Sequence, residues 1–75
     1  LVGNVTFYPT VTSNVLNIQT SETNYVVHLY NQVGQLIGKY SNPISIDVNN
    51  LPAGLYHAQL KSMTGAVETA KFIVK

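Results

Sequence analysis

Leu51-Pro52-Ala53-Gly54-Leu55-Tyr56-His57-Ala58-Gln59-Leu60-Lys61-Ser62-Met63-Thr64-Gly65-Ala66-Val67-Glu68-Thr69-Ala70-Lys71-Phe72-Ile73-Val74-Lys75 is one third of the chain and two strands by its alternation. Successive side chains of a strand point to opposite faces. Tyr56, Ala58 and Leu60 therefore fall on one side and His57, Gln59 and Lys61 on the other. The same parity puts Ala70, Phe72 and Val74 inward and Lys71, Ile73 and Lys75 outward. Met63-Thr64-Gly65 supplies the turn of a hairpin between them. Leu51-Pro52-Ala53-Gly54 is a turn leading into the first strand, so Tyr56 is placed to pack its ring inward while its hydroxyl reaches backbone just upstream, the arrangement called a tyrosine corner.

Upstream, apolar alternation recurs at short intervals between turn residues. Val5 to Tyr8 stops at Pro9, which has no N–H for a ladder. Val15 to Thr20 puts Leu16 and Ile18 on one face, and Ser21 to Asn24 closes it. Tyr25 to Tyr30 sets Val27 and Leu29 against Val26, His28 and Tyr30. Asn31-Gln32-Val33-Gly34 turns the chain, with Gly34 free to take a positive φ. Gln35 to Tyr40 is weakened by Gly38, and Ser41-Asn42-Pro43 turns again. Ile44, Ile46 and Val48 alternate with Ser45 and Asp47. Polarity comes from eight Asn, seven Thr and five Ser, residues that compete for backbone hydrogen bonds and disfavour helices. The expectation is an all-β domain, a seven-stranded antiparallel immunoglobulin-like sandwich without the Trp and cysteine pair of antibody domains.

Length and charge narrow the function. Seventy-five residues make one small domain spanning 1–75. The opening Leu1-Val2-Gly3-Asn4 carries neither an initiator Met nor a signal-peptide pattern, so the chain reads as a segment cut from a longer polypeptide. With no cysteine there is no disulfide framework or thiolate metal site. The net charge is +1, and the four Lys are scattered along the chain, which argues against nucleic acid or an acidic membrane as partner. No apolar run approaches the ~20 residues of a membrane-spanning helix. His28 and His57 lie on separate strands with no carboxylate spaced to orient them. Glu22, Asp47 and Glu68 are isolated, and the five Gly are dispersed. No enzymatic activity, cofactor or metal is therefore expected. Asn4-Val5-Thr6 fits a glycosylation acceptor, a pattern short enough to arise by chance.

Five fragments in order, Phe7-Tyr8-Pro9, Leu16-Asn17-Ile18, Leu29-Tyr30-Asn31-Gln32-Val33-Gly34-Gln35, Leu51-Pro52-Ala53-Gly54-Leu55-Tyr56 and Lys71-Phe72-Ile73-Val74-Lys75, resemble the C-terminal sorting domain, type A, of the type IX (Por) secretion system. The resemblance covers essentially the whole chain. It departs at Thr10-Val11, where the family pattern often continues Asn-Pro. What it implies is transport without chemistry. Such domains end proteins exported across the outer membrane of certain Gram-negative bacteria, are read by the secretion machinery, and are usually removed by a sortase-like surface protease as the cargo is anchored or released.

The implied partners are the outer-membrane translocon and its shuttle component, that protease, and a covalently attached N-terminal cargo domain, with no nucleic acid and no direct membrane span. The implied location is the periplasm in transit, then the cell surface or medium. Carried over from the family motifs, the recognition residues are Tyr8, Pro9, Gly34, Gly54, Tyr56, Lys71, Phe72, Ile73, Val74 and Lys75. A final strand at a sheet edge, with Lys71, Ile73 and Lys75 outward, would suit strand addition or surface docking. The rival reading is a carbohydrate-binding or adhesive sandwich using Tyr8, Tyr25, Tyr30 and Tyr40, and a third is a spacer domain.

Overall fold

The computed structural model describes residues 5–21 and 23–75. Asn4 of the acceptor pattern and Glu22 lie outside them. Eight strands form two sheets: β1 (Val5–Tyr8), β2 (Val11–Thr12), β3 (Val15–Thr20), β4 (Tyr25–Tyr30), β5 (Leu36–Ser41), β6 (Ser45–Asp47), β7 (Gly54–Ser62) and β8 (Val67–Val74). One sheet has the order β1-β3-β6 and the other β2-β8-β7-β4-β5. Among the described residues there is no helix, and so none long and apolar enough to cross a membrane.

The all-β expectation and the alternation that led to it hold. Tyr56, Ala58, Leu60, Phe72 and Val74 are buried, as are Leu16, Ile18, Val27 and Leu29, and together with Phe7, Tyr25, Ile46 and Val48 they form one core between the sheets. Each large apolar side chain removed from water there contributes about 1.5–3 kcal/mol before ordering entropy is subtracted. The hairpin sits where Met63-Thr64-Gly65 places it: Gly65 N–H donates to the Ser62 carbonyl at 3.1 Å and Ser62 N–H to that of Ala66 at 2.9 Å.

The seven-stranded, purely antiparallel arrangement is corrected twice. An eighth strand exists, and it runs parallel to its partner: Val11 pairs with Ile73 and Thr12 with Val74. A two-residue strand is too short to show a period, and parallel pairing cannot be read from neighbouring sequence. The expectation that the final strand is a sheet edge falls with it. Ile73 N–H donates to the Thr10 carbonyl at 2.7 Å and Lys75 N–H to that of Thr12 at 3.0 Å, so the end of β8 is bonded on both sides.

Three local readings also change. Ile44 is 79% exposed, because β6 begins only at Ser45 and strand parity does not bind a residue still in the preceding turn. Strand β5 starts at Leu36, and an irregularity beside Leu29 and Tyr30 leaves Ile37 as the unpaired extra residue. Gly38 does not leave a bare gap in that strand: a Cβ there would lie 2.9 Å from atoms of the Tyr40 ring, which covers the glycine.

Candidate functional site

The Leu51–Tyr56 segment folds as a braced corner. Leu51 N–H donates to the Val48 carbonyl at 3.0 Å, closing a turn. The Tyr56 hydroxyl then donates to the Pro52 carbonyl at 2.6 Å, so the tyrosine corner expected from the sequence is present. The Tyr56 ring stacks on Phe72, with centroids 5.6 Å apart and planes inclined by 22°. Both rings are buried. Gly54 begins β7 at φ +154°, backbone that a side chain at this position would resist.

This corner fixes the final strand. Gly54 pairs with Val74, Leu55 with Ile73, Tyr56 with Phe72 and His57 with Lys71. The two motifs that stand farthest along the chain thus lie side by side, residue against residue. The chain after Pro9 comes to the other flank of β8, where Thr10 and Thr12 supply the carbonyls already described. The Thr12 hydroxyl holds the next turn by donating to the Val15 carbonyl at 2.9 Å and accepting from Asn14 and Val15 N–H at 3.2 Å each. The departure at Thr10-Val11 therefore falls on the segment that clamps the final strand.

The second glycine turn completes this end of the molecule. Asn31 organises it: its side-chain carbonyl accepts from Val33 N–H at 3.1 Å and Gln35 N–H at 3.0 Å, and its amide donates to Gln35 Oε1 at 2.9 Å. Gly34 takes φ +86° and donates to the Asn31 carbonyl at 3.0 Å. Between this turn and the corner lies an open cleft of about 370 Å³, lined by Asn31, Gln32, Val33, Ala53, Gly54, Leu55 and Tyr56.

The carried-over residues divide into buried, exposed and turn positions, with Pro9 exposed next to Tyr8. Tyr56, Phe72 and Val74 are buried and can only hold the site in shape. Lys71 and Ile73 are exposed on the outward face of β8, Lys75 is exposed just past its end, and Tyr8 is exposed at the end of β1, opposite Asn17 on the other sheet. Gly34 and Gly54 belong to the two segments that flank the cleft. The sequence reading missed Thr10, Thr12 and Asn31. For Asn31 a signal was available, since an Asx residue opening a turn that ends in Gly commonly bonds the backbone two residues on.

The rival sites do not assemble. Tyr25 is buried, its hydroxyl donating to the Pro43 carbonyl at 2.6 Å. Tyr30 is half-buried beside His28 and Gln59, and Tyr40 covers Gly38. The remaining ring, Tyr8, is on the other sheet, so these tyrosines make no shared platform for a sugar ring. His28 and His57 stand diagonally on the outer face of the paired β4 and β7, closer than separate strands suggested. Their cross-strand neighbours are Gln59, Lys39, Tyr30 and Lys71, none of which is a carboxylate able to orient an imidazole. Among the described residues no group of three or more His, Cys, Asp or Glu is placed to hold a metal ion.

No curated protein matches the chain. A family model described as the secretion system C-terminal sorting domain matches residues 6–75, which takes in the corner, both glycine turns and the final strand. With that match along nearly its whole length, the chain belongs to the family of C-terminal sorting domains of the type IX secretion system.

Proposed function

We propose that this domain is the address by which an N-terminally attached cargo protein passes from the periplasm through the type IX translocon, with the shuttle component reading the domain and a sortase-like surface protease then removing it. The cargo finishes at the cell surface or in the medium. The observation that carries this reading is the family match over residues 6–75. The register that aligns Gly54–His57 with Lys71–Val74 supports it, because it sets the corner motif and the final-strand motif side by side on adjacent strands. Recognition then works by surface docking. Tyr56, Phe72 and Val74 hold β8 flat from inside while Lys71, Ile73 and Lys75 present a fixed row outside. Strand addition at the end of β8 is closed off by β2.

A fluorescent protein directed to the periplasm and carrying this domain at its C-terminus tests the reading. It should reach the surface or medium of cells that have the type IX machinery and stay in the periplasm of cells lacking the translocon, and mass spectrometry of the exported protein should show the domain removed. Retention in both strains despite stable expression would refute it.

A further inference from the structure

The four Lys, scattered along the sequence, are not scattered in the fold. In the register of the five-stranded sheet, Lys39 pairs with His28, Lys61 with Val26 and Lys71 with His57. His28, Val26 and His57 are half-buried residues of the parity opposite to core residues Val27, Leu29 and Tyr56, so all three lysines stand on the outer face of this sheet. Lys75 has the parity of Lys71 and Ile73 and is exposed with them. All four lysines are therefore on one face, together with both histidines. Neither described carboxylate is there. Asp47 pairs with Val15 on the other sheet, and Glu68 pairs with core residue Leu60, on the inward parity. A net charge of +1 conceals a molecule positive on one side.

The lysines also surround something. Lys39 is on the edge strand β5, Lys61 is near the hairpin end of β7, Lys71 is on β8, and Lys75 lies past its end. Between them sit His28, Tyr30, His57 and Gln59, all half-buried, with the Tyr30 hydroxyl 3.4 Å from both His28 Nδ1 and Gln59 Oε1. A centre of aromatic and hydrogen-bonding side chains ringed by exposed charge is the anatomy of a protein–protein interface. Lysines at the rim steer an oppositely charged partner and set its register. Four compact ammonium groups without an Arg fork are a weak footprint for a phosphate backbone, and directional groups at the centre need partners held in fixed positions, which a headgroup layer does not offer.

We infer that the outer face of the five-stranded sheet docks on a protein surface of the export machinery whose rim carries Asp and Glu side chains, an inference that rests on the sorting function proposed above. The test uses Lys39 and Lys61, which lie outside the family fragments of the final strand. Lys39→Gln with Lys61→Gln removes two positive charges from this face. Gln19→Glu with Ser45→Glu changes the net charge equally on exposed positions of the other sheet. In the cargo fusion, the first pair should lower the rate of export about five- to tenfold, as expected for two docking charges at roughly 0.5 kcal/mol or more each. The second pair should export at the parent rate, and Lys39→Arg with Lys61→Arg should restore it.

Equal export by both acidified pairs, with unchanged thermal midpoints, overturns the inference while leaving the sorting function standing. Failure of the parent fusion itself overturns both. The purified domain is also mixed with vesicles of phosphatidylglycerol and phosphatidylcholine and with duplex DNA at physiological salt. No association is expected; binding to either that is lost in the Lys39→Gln, Lys61→Gln variant would assign the face to that ligand instead and overturn the protein partner.

Discussion

Two buried tyrosines do work at the residue scale that no aliphatic side chain could. Tyr56 and Tyr25 each fill the core with a ring and tie a loop carbonyl with a hydroxyl, Pro52 in one case and Pro43 in the other. The second is reinforced by Asn42, whose side chain accepts Tyr25 N–H at 2.8 Å and whose N–H donates to the Tyr25 carbonyl at 2.9 Å. Removing the hydroxyl leaves the ring in place and strands a carbonyl near the surface, so Tyr56→Phe and Tyr25→Phe should each cost about 1 kcal/mol. Removing the ring is another matter: Tyr56→Ala also takes away the surface on which Phe72 stacks and should cost about 3–5 kcal/mol. Urea titration of the three variants measures these differences. A Tyr56→Phe midpoint equal to that of the parent domain would mean that the corner bond contributes nothing.

At the scale of the element, β8 is a strand whose two faces have different duties and whose two edges are both occupied at its end. Phe72 and Val74 belong to the core, so Phe72→Ala with Val74→Ala should impair folding and export together. Lys71→Ser, Ile73→Thr and Lys75→Ser alter only the exposed row, and each surface change should move stability by less than ~0.5 kcal/mol. Export of the matching fusion should nevertheless fall. A triple variant that melts and exports normally would move recognition to the cleft between the Gly34 turn and the Gly54 corner. The pairing with β2 has its own signature. Amide hydrogens of Ile73 and Lys75 point to carbonyls of Thr10 and Thr12, so both should exchange slowly with deuterium, near the rate of the β7 amides. Exchange as fast as that of an exposed loop would reject the parallel pair.

As a whole molecule the domain has a single core shared by two sheets, so neither sheet can unfold alone without exposing the other. Leu16 from β3 and Leu60 from β7 are both fully buried in it. Leu16→Ala and Leu60→Ala should each lower stability by about 2–5 kcal/mol, a large share of what a domain of this size possesses. Both should do so within one cooperative transition, the same by fluorescence and by circular dichroism. Two separated transitions in either variant would show that the sheets are independent units. The charge asymmetry also belongs to this scale, for it exists on no single strand.

Parity along a strand is a local property, set by the pleat of the backbone itself, and it was legible in the sequence. It identified the inward faces of β3, β7 and β8, the hairpin at Met63–Gly65, the Gly34 turn and the Tyr56 corner. Four of the five family fragments were legible for the same reason, since each takes in a turn or a strand end whose backbone geometry restricts which residues fit, and the fifth, Leu16-Asn17-Ile18, was legible by its alternation within β3. Which strand lies beside which is not local. The parallel pair of β2 with β8 joins residues about sixty positions apart and leaves no period in two residues. Ile44 was misplaced because its alternation with Ile46 and Val48 continues past the start of β6 at Ser45, although the Ile44 carbonyl still accepts Ile18 N–H at 3.0 Å. The cleft and the lysine-rimmed face required the order β2-β8-β7-β4-β5, because only pairing register brings Lys39, Lys61 and Lys71 to one surface. Burial of a shared core selects that register, as a slip of one residue would turn each apolar face to water.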